Sequence, residues 1–86
     1  MDKNELISIV KKKLIANIEI ENINVEDKSF LHKNHSGNQL GKYHLKITIA
    51  SAELKMMNKI DSNKKIYKIL DDEIKNFIHS LQILIN

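Results

Sequence analysis

Tyr43-His44-Leu45-Lys46-Ile47-Thr48-Ile49 is the stretch on which the fold turns. Tyr43, Leu45, Ile47 and Ile49 alternate with His44, Lys46 and Thr48, and a period of two over this length predicts a half-buried strand. The apolar phase faces the core, so His44 points away from it. Upstream, Ile23 and Val25 alternate in the phase opposite to that of Ile18 and Ile20. A strand cannot change faces without a break, which falls near Glu21-Asn22 and leaves a first strand from Asn22 to Asp27. The stretch from Asp27 to His44 holds His32, His35 and His44, and both glycines, Gly37 and Gly41. A connection of that length predicts an antiparallel hairpin with a wide, mobile tip and no tight turn.

Outward from the hairpin, the helical period takes over. Asp2 is placed to cap a helix, with Glu5 three residues on, and Leu6, Ile9, Val10 and Leu14 fall on one face, predicting a helix over residues 4–16. Lys11-Lys12-Lys13 lies mostly on its solvent side. Residues 51–57 fit a short helix, and Asp61-Ser62-Asn63 offer N-caps for a longer one. Ile66, Ile69, Leu70, Ile74, Phe77 and Ile78 form its apolar stripe, with Tyr67 on the flank, and the helix runs to about residue 76. His79 stands at the end of that pattern. Leu81, Ile83 and Ile85 then alternate with Ser80, Gln82 and Leu84 as a third strand. A strand–helices–strand connection crosses over right-handed, so the third strand lies parallel to the second. The expected architecture is one small α+β domain over residues 1–86, in the order αββααβ, with helices covering one face of a three-stranded mixed sheet.

Composition limits the function. A chain of 86 residues buries only about 60–65% of its unfolded surface, which leaves little room for a deep substrate cleft. With no cysteine it can form neither a disulfide nor a thiolate metal site of its own, a usage compatible with the cytoplasm. No apolar run approaches the ~20 residues of a membrane span. The net charge of +3 comes from fourteen lysines and no arginine, and together with abundant Asn and Ile it suggests an AT-rich coding sequence more than selection for phosphate. No nucleophile–base pair or phosphate-binding glycine loop is present, so catalysis is not expected.

The order and spacing of Asp27-x-Ser29-x-x-His32, Tyr43-His44-Leu45-Lys46-Ile47, Ile66-Tyr67-x-x-Leu70-x-x-Glu73 and Ile78-His79-Ser80-Leu81 resemble the BolA-like family over nearly the whole chain. The family's usual Ser-His-Phe opening of the second strand stands here as Tyr43-His44-Leu45, and its Ile/Val-His-Ala-Leu ending as Ile78-His79-Ser80-Leu81. The resemblance implies a KH-like fold of the second type and partnership with a monothiol glutaredoxin across a shared [2Fe–2S] cluster, in iron–sulfur trafficking or iron sensing. The chain departs from the family where Phe-x-Gly and Arg-His-Arg are usual, reading Leu54-Lys55-Met56 and Ser62-Asn63-Lys64. Losing both arginines removes bidentate phosphate and base contacts, and no Gly-x-x-Gly joins the helices to clamp a single strand. Nucleic-acid binding is therefore expected to be weak.

Four imidazoles and no thiol define what this chain offers a metal. A [2Fe–2S] cluster takes four ligands, and in Rieske-type centres two imidazoles replace two thiolates on one iron. The chain cannot hold such a cluster unaided. It could supply the nitrogen side if a partner supplied sulfur, as the one active-site cysteine of a glutaredoxin with bound glutathione would by family analogy. Spacing within the family assigns the ligands to His32 and His79, with His35 the alternative to His32. His44 is left as a sheet-surface or ligand-orienting residue, and Asp27 and Ser29 could orient an imidazole. Two further readings are a nucleic-acid-binding regulator and a divalent site of His32, His35, His44 and His79 alone, for which a loop bearing two of them makes a poor preformed cage.

Overall fold

The structure, a computed structural model, describes residues 2–28 and 43–86. Helix α1 spans Lys3–Asn17 and starts where expected, because the Asp2 carboxylate accepts a 2.8 Å hydrogen bond from the Glu5 backbone N–H. It buries Leu6, Val10 and Leu14. Ile7, and not the expected Ile9, packs on the flank of the core. Strands β1 (Asn22–Asp27) and β2 (Tyr43–Ala50) pair antiparallel, with Ile23 opposite Ile49 and Val25 opposite Ile47.

Three helices follow. Ser51 caps α2 (Ala52–Lys55) by accepting from the Leu54 N–H. Helix α3 (Lys59–Ile69) begins earlier than the Asp61-Ser62-Asn63 caps predicted, because Asn58 takes the cap position and accepts from the Asp61 N–H at 2.8 Å. Its side-chain amide donates back to the Asp61 carboxylate, so Asp61 closes a reciprocal cap from within the first turn. The expected single helix to residue 76 is divided at Leu70 (φ −97°, ψ 18°), after which α4 runs Asp71–Asn76.

Strand β3 spans Ile78–Ile85 and pairs parallel to β2, giving the sheet order β1-β2-β3. It begins two residues earlier than the alternation predicts, so Ile78 and His79 belong to the strand and not to the end of a helix. Val25, Leu45, Ile47 and Ile49 line one face of the sheet and pack with Leu6, Val10 and Leu14 of α1, Leu54 of α2, Ile66 of α3, Leu70 and Ile78. Each such buried Leu or Ile contributes about 1.5–3 kcal/mol, more than any single cap, so this one-sided core fixes the phase of every strand.

An ion pair ties the two ends of the helical layer together. Lys13 Nζ lies 3.0 and 2.8 Å from the two carboxylate oxygens of the buried Glu73 on α4. That hydrogen bond holds the Lys13 ammonium above its usual pKa. No helix among the described residues is long and apolar enough to cross a membrane.

Candidate functional site: a histidine pair at a sheet bulge

The register of β3 against β2 breaks at one point. Tyr43 is opposite Ile78 but His44 is opposite Ser80, so His79 is an extra residue with no partner on β2. The cause is in the sequence: Ile78 and Leu81 both belong to the core side although they are three apart, an odd spacing that strict alternation cannot satisfy. A bulge resolves it, and bulges re-aim the side chains they carry. Here the bulge sets the His79 ring against that of His44, with centroids 4.9 Å apart and planes inclined by 60°.

His44 departs from expectation. It stands on the sheet face away from the core, yet it is only 7% exposed; the His79 ring lies against it and Ser80 Oγ reaches its Nδ1 at 2.6 Å. The tautomer decides which of these two atoms donates. His44 is thus fixed by backbone pairing and a side-chain hydrogen bond, whereas His79 is exposed. The Lys28 N–H donates to the His44 carbonyl, and the Tyr43 N–H donates to the carbonyl of Phe77, just before β3. These bonds gather the end of β1 and the starts of β2 and β3 at one end of the sheet.

The structure therefore brings together two of the four histidines, His44 and His79. His32 and His35, along with Ser29, lie outside the described residues. Both anchor points of the segment that carries them, Asp27 and Tyr43, are at the same sheet end. His32 is five residues from Asp27, a tether that spans at most about 17 Å. Among the described residues no group of three or more His, Asp or Glu is gathered for a metal ion. Sequence reasoning gave Ser80 no role, and the odd Ile78-to-Leu81 spacing was the signal that could have revealed both the bulge and the Ser80–His44 contact.

A small α+β domain with a three-stranded mixed sheet, one helical layer and a histidine pair at the mouth of a hairpin is the class these features define. The profile of the BolA-like protein family matches residues 14–86, and the chain belongs to that family. It is 28% identical over 75 residues, 87% of this chain and 70% of the relative, to the "DNA-binding transcriptional regulator BolA" of Haemophilus influenzae. Among solved structures it is similar to the BolA domain of SufE1 from Arabidopsis thaliana, with TM-score 0.79, 24% identity, and coverage of 100% of this chain and 93% of that one. BolA1 from the same plant gives TM-score 0.78 at 24% identity over 93% and 88%, and mouse BolA1 0.74 at 16% over 92% and 62%. At such identities these structures speak for the fold.

Proposed function

We propose that this protein is a cytoplasmic adaptor, not an enzyme, that partners a monothiol glutaredoxin and completes the coordination of a bridging [2Fe–2S] cluster, in cluster trafficking or iron sensing. His79 and His32 are the ligands in this reading, with His35 the alternative to His32, and glutathione and the partner's cysteine provide the sulfur side. The observation that carries it is the exposed His79 ring, turned out by the bulge and braced by a buried His44 that is itself held by Ser80. Packing against a ring held in this way limits how far the His79 imidazole can turn. The donor set fits, since two imidazoles and no thiolate match the nitrogen side of a Rieske-type centre. The bound cluster would supply the redox- and transfer-competent iron, while the chain supplies neutral nitrogens and their orientation.

The test is the visible absorption and circular dichroism of the protein mixed with a cluster-loaded monothiol glutaredoxin. A one-to-one complex with a shifted spectrum is expected, lost in His79→Ala and His32→Ala and retained in His35→Ala. Unchanged spectra and no complex by sizing would remove the proposal; loss in His35→Ala alone would move the second ligand to that position.

A second reading, nucleic-acid-binding regulation, is favoured by the name of the Haemophilus influenzae relative. Lys59, Lys64 and Lys68 on α3 make no ion pair among the described residues and could meet phosphates as point charges.

A further inference from the structure

Helix α4 turns a charged residue inward. Glu73 is the buried residue of that helix, 6% exposed, and its two carboxylate oxygens lie 3.0 and 2.8 Å from Lys13 Nζ on α1. A buried ion pair is weak as a source of stability, because apolar side chains of similar volume at the same place often hold a fold as well or better. What it does supply is direction, since the carboxylate is satisfied in one placement of the two helices and left uncompensated in others. Helix α1 is the fixed member, pinned by Leu6, Val10 and Leu14 at 0% exposure. Helix α4 is the held one: it has six residues, no side chain caps its N-terminus, and the Lys75–Asp71 ion pair lies within it.

Two backbone bonds lead from Glu73 to the histidine pair. The Glu73 carbonyl accepts from the Phe77 N–H at 2.8 Å, and the Phe77 carbonyl accepts from the Tyr43 N–H at 2.9 Å. His44 is the next residue on β2, and His79 the second after Phe77, at the bulge where the register shifts. The end of α4 is thus the point from which β3 enters the sheet. On the reading of His79 as a ligand, we infer that Lys13 and Glu73 are positioning residues for its imidazole: the pair sets α4 against α1, and with it the angle at which the bulge brings the His79 ring against that of His44. The pair acts through the backbone of residues 73–78.

The test compares three variants of the full chain, free of metal and partner, by ring-proton cross-peaks between His44 and His79, amide spectra and thermal melts. Lys13→Met/Glu73→Leu replaces the pair by apolar side chains and should melt within about 5 °C of wild type or above it, yet lose the cross-peak between the rings, with amide shifts concentrated in residues 43–44 and 73–80. Lys13→Gln, which removes the charge alone, should lose the same cross-peak, and Lys13→Arg should keep it. Persistence of the ring contact in the apolar double variant would overturn the inference, as would failure of that variant to fold, which would make the pair a support of the core. Shifts spread evenly over the whole domain, or loss of the contact in Lys13→Arg as in Lys13→Gln, would overturn it too. These signals belong to the free chain, so they decide the role of the pair even where no glutaredoxin complex forms. Where the complex does form, its visible circular dichroism should weaken in the apolar double variant; an undiminished signal would overturn the positioning role while leaving His79 a ligand.

Discussion

Deleting His79 should leave the fold standing. Removal of that one residue joins Ile78 to Ser80, which already oppose Tyr43 and His44, so the bulge closes and Ile78, Leu81, Ile83 and Ile85 all keep their side of the sheet. The loss is the ring contact with His44, about 0.5–1.5 kcal/mol by the measure of aromatic pairs. The gain is an uninterrupted ladder, about 0.5–1.5 kcal/mol for one more hydrogen bond. These nearly cancel. An unfolding entropy of about 0.2 kcal/mol per degree for a domain of this size turns a residual 1 kcal/mol into about 5–6 °C of melting temperature. The contrasting variant is deletion of Thr48, which throws Ile47 and Ile49 onto opposite faces; each is fully buried. Displacing one such side chain costs about 2–5 kcal/mol, against a total stability of about 4–13 kcal/mol for the whole domain, and both neighbouring strands lose register with it. Far-ultraviolet melts and amide spectra compare the two. A drop above about 15 °C on deleting His79 would mean that the bulge residue supports the fold, and the reasoning that it exists to present an imidazole would fail.

Ser80→Ala removes the partner of His44 Nδ1 and should cost about 1 kcal/mol, with a change in the His44 tautomer visible in long-range 15N spectra; an unchanged ring would show that Ser80 holds nothing. Glu53 is held below its usual carboxylate pKa by hydrogen bonds from Lys65 and the Glu19 N–H. Its contribution is therefore complete above the ordinary value of 4.5 and lost as pH falls through the lowered one, so Glu53→Gln should melt below wild type at pH 7 and converge with it in acid. Equal melting temperatures at both pH values would count against the pairing. With fourteen lysines and no arginine, any duplex affinity should decline steeply with salt and show no sequence preference, which titrations at two ionic strengths and on two unrelated duplexes would check.

Much of this fold could be read from one-dimensional periodicity. Ile23 with Val25, and Leu45 with Ile47 and Ile49, gave both hairpin strands, and the helical stretch after them required a parallel third strand. The boundary between α4 and β3 was ambiguous for a definable reason. Ile78 lies four residues after Ile74, as a helix wants, and also on the core side of the strand once a bulge is allowed. Likewise Asn58 outcompeted the later cap residues because its side chain and that of Asp61 satisfy each other. The burial of His44 had no local signal at all. An alternating strand marks its polar phase as solvent-facing, and the two contacts seen on the His44 ring come from residues 79 and 80, more than thirty positions away in the chain.

The bulge gives the two rings different mechanical standing. His44 rides on the central strand, which pairs with β1 on one side and β3 on the other. His79 is the residue without a register partner on β2, on an outer strand, and its side chain is exposed. One imidazole is thus a fixed reference and the other a compliant arm. A centre whose remaining ligands arrive on another molecule is assembled at whatever distance that molecule docks, and a compliant arm braced against a fixed neighbour can close the last gap without asking the sheet to move.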